Sequence, residues 1–449
     1  VLAWYESQRA RHLELDRNEH PMKSARLDEP LELRCGLVLE NRLCRAAMTE
    51  GIAGPRNDPN ERHFRLYAEN ARAGAGLVLT GNAMVDRRHL ERARNVVIDS
   101  ATDEAALDRW AQSAAATPTL IQLSHPGRQT NRFIQPHPVA PSDGPAVPLA
   151  GLFAPPRALG LSEIADVRER FVGAGVQVVG AGFAGVELHA AHGYLLDSFL
   201  DLEHNRRHDE YGGSLENRAR LLREIVEGLR AALPASAAIA IKLDARDGGD
   251  EELAELAVLL ERAGADLLEI SGGNYVSPAM LGFDADGNEL HSEHESPFWS
   301  SAAAVSEATE LPVMLTGGFR SRGEVERALS GGVCAMVGVG RPLAVWPSMA
   351  GRFVRGETDT LERPAPRLGG PAPLRKMLGA AAGSGWHRIQ LARSAADRPP
   401  LLKLPAFAAA IDYSAVDSLQ ALSGRRARMR LADEAGPAGA KSLTASSSP

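Results

Sequence analysis

The stretch Val178-Val179-Gly180-Ala181-Gly182-Phe183-Ala184-Gly185-Val186-Glu187-Leu188-His189 can be read as part of two different folds. Its glycines at 180, 182 and 185 match the GxGxxG turn that holds a dinucleotide pyrophosphate after the first strand of a doubly wound sheet. That reading needs a helix next, then a second buried strand ending in an acidic residue about 20 residues on. The chain offers instead His192-Gly193-Tyr194 and the polar run Asn205-Arg206-Arg207-His208-Asp209-Glu210. The other reading takes Gly180 to Gly185 as a helix end and turn that feed a buried strand beginning at Gly185.

The rest of the chain favours the second reading. Apolar, β-branched-rich runs recur at Leu43 to Met48, Gly76 to Thr80, Thr119 to Leu123, Gly185 to His189, Ala238 to Leu243, Asp266 to Ser271, Pro312 to Thr316 and Ala335 to Val339. They lack strict alternation, as strands covered on both faces of a parallel sheet do. Helical periodicity fills the gaps, for example over Arg62 to Ala73, Leu215 to Leu233, Glu251 to Ala263 and Arg322 to Leu329. An unbroken series of βα units predicts one closed (β/α)8 TIM barrel of the α/β class. We place it at residues 27–361, after an N-terminal extension (1–26) and before a C-terminal tail (362–449). Glu32 to Leu39 reads as a short hairpin capping the barrel floor, and Pro136 to Pro156 as a long irregular loop of the kind that is usually functional. Beyond Pro347 the pattern weakens, and the Ser/Ala/Gly-rich end, Ala432 to Pro449, reads as disordered. Trp4-x3-Gln8-x-Ala10-Arg11 echoes Trp386-x3-Gln390-x-Ala392-Arg393, over too few positions to make a repeat.

Composition narrows the function. Of 449 residues 44% are hydrophobic, enough for a large core, and a net charge of −7 without a Lys/Arg block argues against nucleic-acid partners. Cys35, Cys44 and Cys334 form no CxxC pair, so a zinc ribbon or iron–sulfur cluster is not expected. Sparse cysteines, no apolar leader in the first 20 residues and no run long enough to span a bilayer predict a cytoplasmic protein without a membrane partner.

The chemistry concentrates at His189-Ala-Ala-His192-Gly193-Tyr194-Leu195-Leu196, just past a strand's C-terminal end, where barrel active sites form. Two imidazoles there can donate paired hydrogen bonds to an oxygen that gains negative charge, and a nearby phenol can protonate carbon. Taken alone, the same histidines could be packed core residues or zinc ligands, with His125 and Asp244 as further candidates, which leaves a metal-dependent barrel hydrolase or lyase open. Arg206, Arg207 and Asp209 read as a structural ion-pair cluster. Bare backbone N–H groups at Gly317, Gly318 and Gly340, with Arg341, suit the phosphate site that barrels build after their last two strands.

Together with Arg206-Arg207-His208-Asp209-Glu210-Tyr211-Gly212-Gly213-Ser214-Leu215-Glu216-Asn217-Arg218, this segment resembles the signature of the old yellow enzyme family of FMN oxidoreductases. The likeness extends through Asn41-Arg42, Ala46-Ala47-Met48-Thr49, Gln122 to Gln129, Ser271-Gly272-Gly273, Thr316 to Phe319 and Gly338 to Pro342, or about Leu31 to Trp346. It implies FMN at the barrel's C-terminal mouth and NAD(P)H as hydride donor, with a ping-pong reduction of an electron-poor alkene such as an enone. By position, Ala46, Ala47 and Met48 would line the flavin ring, with Gly81 also in contact. Thr49 would bond flavin O4, Gln122 the pyrimidine edge, and Lys242 would sit near N1 and O2. Gly317, Gly318, Gly340 and Arg341 would cradle the phosphate. His189 and His192 would hold the substrate oxygen and Tyr194 would donate the proton. Gly51 stands where some members carry a substrate-contacting tyrosine. The implied partner is a small molecule; a homo-oligomer and a flavin-binding protein without turnover stay open.

Overall fold

The computed structural model describes residues 25–148, 151–245, 248–272, 296–362, 364 and 372–436. Eight parallel strands close into a barrel: β1 (Leu43–Arg45), β2 (Leu77–Leu79), β3 (Thr119–Ser124), β4 (Gly185–Ala190), β5 (Ala238–Asp244), β6 (Leu267–Ser271), β7 (Val313–Thr316) and β8 (Met336–Val339). Closure is through β8, whose Gly338 pairs with Cys44 of β1. All eight expected runs are strands. Helices Glu61–Ala71, Glu104–Ala114, Leu161–Gly180, Arg220–Ala232, Asp250–Ala263, Trp299–Ala308 and Arg322–Ser330 return the chain between them.

The strand period of two divides the core. Inward residues Cys44, Leu77, Leu79, Leu120, Ala238, Ala240, Leu267, Met314 and Met336 pack in the lumen, with Leu33 and Leu39 closing the floor. That floor is the expected hairpin, Leu31–Glu32 paired antiparallel with Val38–Leu39. Outward residues such as Val78, Ile121, Val186 and Ile239 join the helices in a much larger outer layer.

The ambiguous stretch resolves through its glycines. The helix Leu161–Gly180 ends at Gly180, and β4 begins at Gly185. A Cβ on Gly185 would lie 2.1 Å from the carbonyl oxygen of Ala238, so the close approach of β4 and β5 demands glycine. Gly182 sits in the turn at φ +106°, open to glycine alone at little cost. The motif serves a turn and a strand contact, not a pyrophosphate.

The weak pattern beyond Pro347 conceals more helix than its Ala- and Gly-rich sequence announces. Helices Ala372–Ser394, Ala406–Ile411 and Asp417–Ala435 follow the barrel, the last two joined by a π-turn at Asp412–Val416. They are fastened to the barrel: Asp417 accepts from the backbone N–H of Ala93 at 3.1 Å, and Arg92 stacks 3.3 Å from the Tyr413 ring centre. Trp386 is fully buried against Val345 and Ala409. Residues 1–24, with Trp4 and Gln8, Gly273, most of Leu281 to Trp299 and residues 437–449 lie outside the described residues. No helix among the described residues is long and apolar enough to cross a membrane.

Candidate active site

His189 is the inward residue near the end of β4, and its partner across the sheet is Lys242 of β5. Three residues on, His192 sits at φ +64°, a region that L side chains rarely occupy. The chain holds it there: Gln129 donates from Nε2 to the His192 carbonyl at 2.7 Å, and the Gly193 N–H donates to Asp197 Oδ2 at 2.7 Å. The His192 ring reaches Ser271 of β6, Nε2 to Oγ 3.3 Å. The two imidazoles lie 5.0 Å apart, and the Tyr194 ring stands edge-on to His189 at 4.6 Å. The structure therefore gathers the three predicted catalytic side chains in one cluster. Of its supports, Gln129 and Ser271 lie in motifs of the family likeness without a role assigned to them, and Asp197 carries no sequence signal.

Burial drives both imidazole pKa values well below the ordinary histidine range, with Lys242 and, for His189, the His192 ring adding to the effect. Both rings are thus neutral donors near neutral pH. The Nδ1 atom of His189 is buried without a protein partner.

The other predicted residues surround this cluster. Met48 lies against Gly340, where a Cβ would meet its sulfur at 3.3 Å, and the Ala46 N–H donates to the Val339 carbonyl at 3.1 Å. The loops after β1 and β8 therefore meet at the mouth. Gly317 and Gly318 turn at φ +113° and +90°, leaving backbone where a Cβ would run into Phe298 and Ser296. Gly81 has no room for a side chain beneath the Met48 carbonyl and Glu50. Its N–H is committed to the Glu50 carboxylate at 2.8 Å. The Thr49 hydroxyl lies 2.8 Å from Asn82 Oδ1 and 3.1 Å from Glu91 Oε2. Gln122 donates to Glu187 at 2.6 Å, and Lys242 to Glu269 at 2.7 Å.

The Arg-Arg motif has a structural task. Arg207 pairs with Asp209 and donates to the carbonyls of Pro141 (2.9 Å) and Leu159 (2.6 Å), while the Arg206 N–H donates to Ser142. It staples the long loop after β3. Gly51, at the place of the family's tyrosine, is covered by the stem of Arg388 from the C-terminal helices, 3.2 Å from where a Cβ would be.

The family is settled by comparison. A family model described as the NADH:flavin oxidoreductase / NADH oxidase family matches residues 26–359. The chain belongs to that family. The NADH-dependent flavin oxidoreductase iliE of Hypocrea jecorina (strain QM6a) is 39% identical over 346 residues, covering 71% of this chain and 86% of that protein. The solved old yellow enzyme homologue of Zymomonas mobilis superposes with a TM-score of 0.66 at 26% identity, covering 76% of this chain and 95% of its own. Morphinone reductase gives 0.65 at 25% identity, covering 77% and 93%. This flavin oxidoreductase uses FMN, with NAD(P)H as hydride donor.

The residues present fit FMN. The mouth offers the unpartnered buried nitrogen of His189, a cation at Lys242 and a glycine-lined turn at Gly317 and Gly318. A metal centre fits His189 and His192 less well. Among the described residues the one group with ligand atoms in mutual reach is Asp86, His89 and His125, without Asp244. There the Asp86 carboxylate is already gripped by Arg88 at 2.6 Å with Arg170 at 3.8 Å, and these guanidinium charges oppose a dication.

Proposed function

We propose that this flavin oxidoreductase reduces an electron-poor alkene whose activating oxygen is held by His189 and His192. The observation that carries the reading is the cluster of two neutral, buried imidazoles with the Tyr194 ring beside them. Ala46, Ala47 and Met48 would line the ring of FMN, with Gly81 keeping the wall behind them thin. Thr49 and Gln122 would bond its polar edge and Lys242 would face N1 and O2. Gly317, Gly318, Gly340 and Arg341 would hold the phosphate. When bound, FMN supplies a two-electron carrier that accepts hydride from NAD(P)H and returns it to the alkene.

The protein's part is polarisation and proton supply. Each neutral imidazole donates one N–H to the substrate oxygen, drawing electron density from the β-carbon. The phenol of Tyr194 donates its proton to the α-carbon and recovers it from solvent. The fixed backbone at His192 keeps its ring from turning away.

An absorption spectrum of the purified protein, before and after anaerobic NADH or NADPH, tests the reading. Flavin bands should bleach, return on adding an enone, and give ping-pong kinetics. Bleaching that no enone reverses sinks the alkene assignment. A yellow protein that neither nucleotide bleaches indicates binding without turnover.

A further inference from the structure

Beside and below His189 the lumen holds Gln122 of β3, Glu187 of β4, Lys242 of β5 and Glu269 of β6, all at most 3% exposed. They form two bonded pairs. Gln122 donates to Glu187 Oε2 (2.6 Å) and Lys242 to Glu269 Oε1 (2.7 Å). The remaining oxygens, Glu187 Oε1 and Glu269 Oε2, are buried without a hydrogen-bond partner, as is the Thr316 hydroxyl. The other groups facing the pair are the Cys44 thiol of β1, with Arg45 next to it, and His189 and His192 above Lys242.

Two buried carboxyls here face one cation: Lys242 is on Glu269, and Glu187 has only the neutral amide of Gln122. With both ionised, the lumen would carry one positive and two negative charges, and an uncompensated buried charge costs several kcal/mol. One proton on one of the carboxyls makes the group neutral. Its place follows from the neighbours. Lys242 beside Glu269 holds that carboxyl below the usual range, whereas burial and the Glu269 charge push Glu187 well above it.

We propose that Glu187, Glu269 and Lys242 form a neutral, singly protonated triad that sets the reduction potential of the bound flavin. Glu269 cancels the field of the lysine, and the proton on Glu187 completes the balance. The inference rests on the reading that puts Lys242 at the cofactor's N1 and O2. Reduction places negative charge there, which a bare lysine would stabilise strongly in a lumen of low polarity. Cancelling that charge keeps the potential low and the reduced enzyme a stronger donor toward alkenes. Glu187 and Glu269 are positioning residues, since both act through Lys242.

The test measures the flavin midpoint potential of the holoenzyme at pH 7 by dye equilibration, together with its infrared spectrum. E187Q keeps an acceptor for Gln122 and removes only the proton-bearing acid. It should leave the potential in place and abolish a protonated-carboxyl C=O band. E187Q/E269Q bares the lysine and should shift the ratio of reduced to oxidised flavin at fixed poise at least tenfold toward reduced. E269Q alone is uninformative by design, because Glu187 then ionises in its place. A rise in potential with E187Q means that Glu187 was ionised and overturns the proposal. So does a double variant with the wild-type potential. E187Q is isosteric and decides the protonation state even where the double variant does not fold. A wild-type chain that takes up no FMN refutes the parent reading instead.

Discussion

Replacing Gly185 with alanine should destabilise the barrel, whereas the same change at Gly173, in the helix leading to it, should stabilise. The Cβ at position 185 would sit 2.1 Å from the Ala238 carbonyl oxygen and 2.7 Å from its nitrogen, both backbone atoms unable to swing aside. Real Cβ contacts begin near 3 Å, so β4 and β5 must part by about 1 Å at their base. That movement strains the bonds Ala238 N–H to Ala184 and Ala184 N–H to Thr119, at 3.0 and 3.1 Å. Overpacking costs about 1–3 kcal/mol and each of the two weakened bonds up to ~1 kcal/mol, giving a loss of about 1–5 kcal/mol. Gly173 is mid-helix, exposed, with nothing within 4 Å of its would-be Cβ. Alanine there should gain about 0.5–1 kcal/mol. Urea titration followed by pulse proteolysis measures both, and the sites lie far enough apart for G173A/G185A to give the sum. A neutral G185A would refute the claim that this glycine exists for strand contact and would reopen the phosphate-turn reading.

Four further expectations follow from the geometry. Gln129→Leu frees the strained His192 backbone and should cost about 1 kcal/mol, roughly five- to tenfold in kcat/KM for an enone, without changing FMN affinity; unchanged enone kinetics would refute the buttress. Tyr194→Phe should slow the alkene half-reaction by about 100-fold or more while leaving the rate of NAD(P)H oxidation intact in stopped-flow traces. Trp386→Ala should cost ~3–5 kcal/mol locally, seen as protease cleavage between residues 372 and 436 before the barrel is cut. Burial lowers the His63 pKa to about 3, so the unfolded chain binds more protons below about pH 6.5 and stability must fall as the pH drops through that window. His63→Gln should flatten this slope by up to ~1.4 kcal/mol per pH unit between about pH 6 and 3, and an unchanged slope would refute the assignment.

What the sequence shows depends on contrast. The strands are legible because parallel strands covered on both faces are written as apolar runs, and the glycines between helix and strand mark the joints. The clustering of His189, His192 and Tyr194 is legible because they share one strand end. Glu187 and Glu269 look like ordinary acidic residues until the strand period shows that both point inward, beside Lys242 and Gln122. The C-terminal helices stay faint because alanine and glycine pack closely yet give little amphipathic signal, as in Ala372–Ser394. Gln129 and Ser271 act on His192 through a backbone carbonyl and a ring nitrogen, contacts that no spacing rule anticipates.

The docking of the C-terminal helices also has a bearing on biosynthesis. Asp417 binds a backbone group 324 residues upstream at Ala93, and Arg92 beside it is held by the Tyr413 carbonyl. The neighbouring Glu91 reaches Thr49 at the mouth. A ribosome adding roughly 5–20 residues per second needs about 4–15 s to pass from the end of the barrel to residue 436. During that interval the nascent barrel has all eight strands but lacks the cover over Arg92 and Val345. Chaperones that scan emerging chains would meet their target here, and a premature stop after the barrel would yield a nearly complete fold with this surface permanently open.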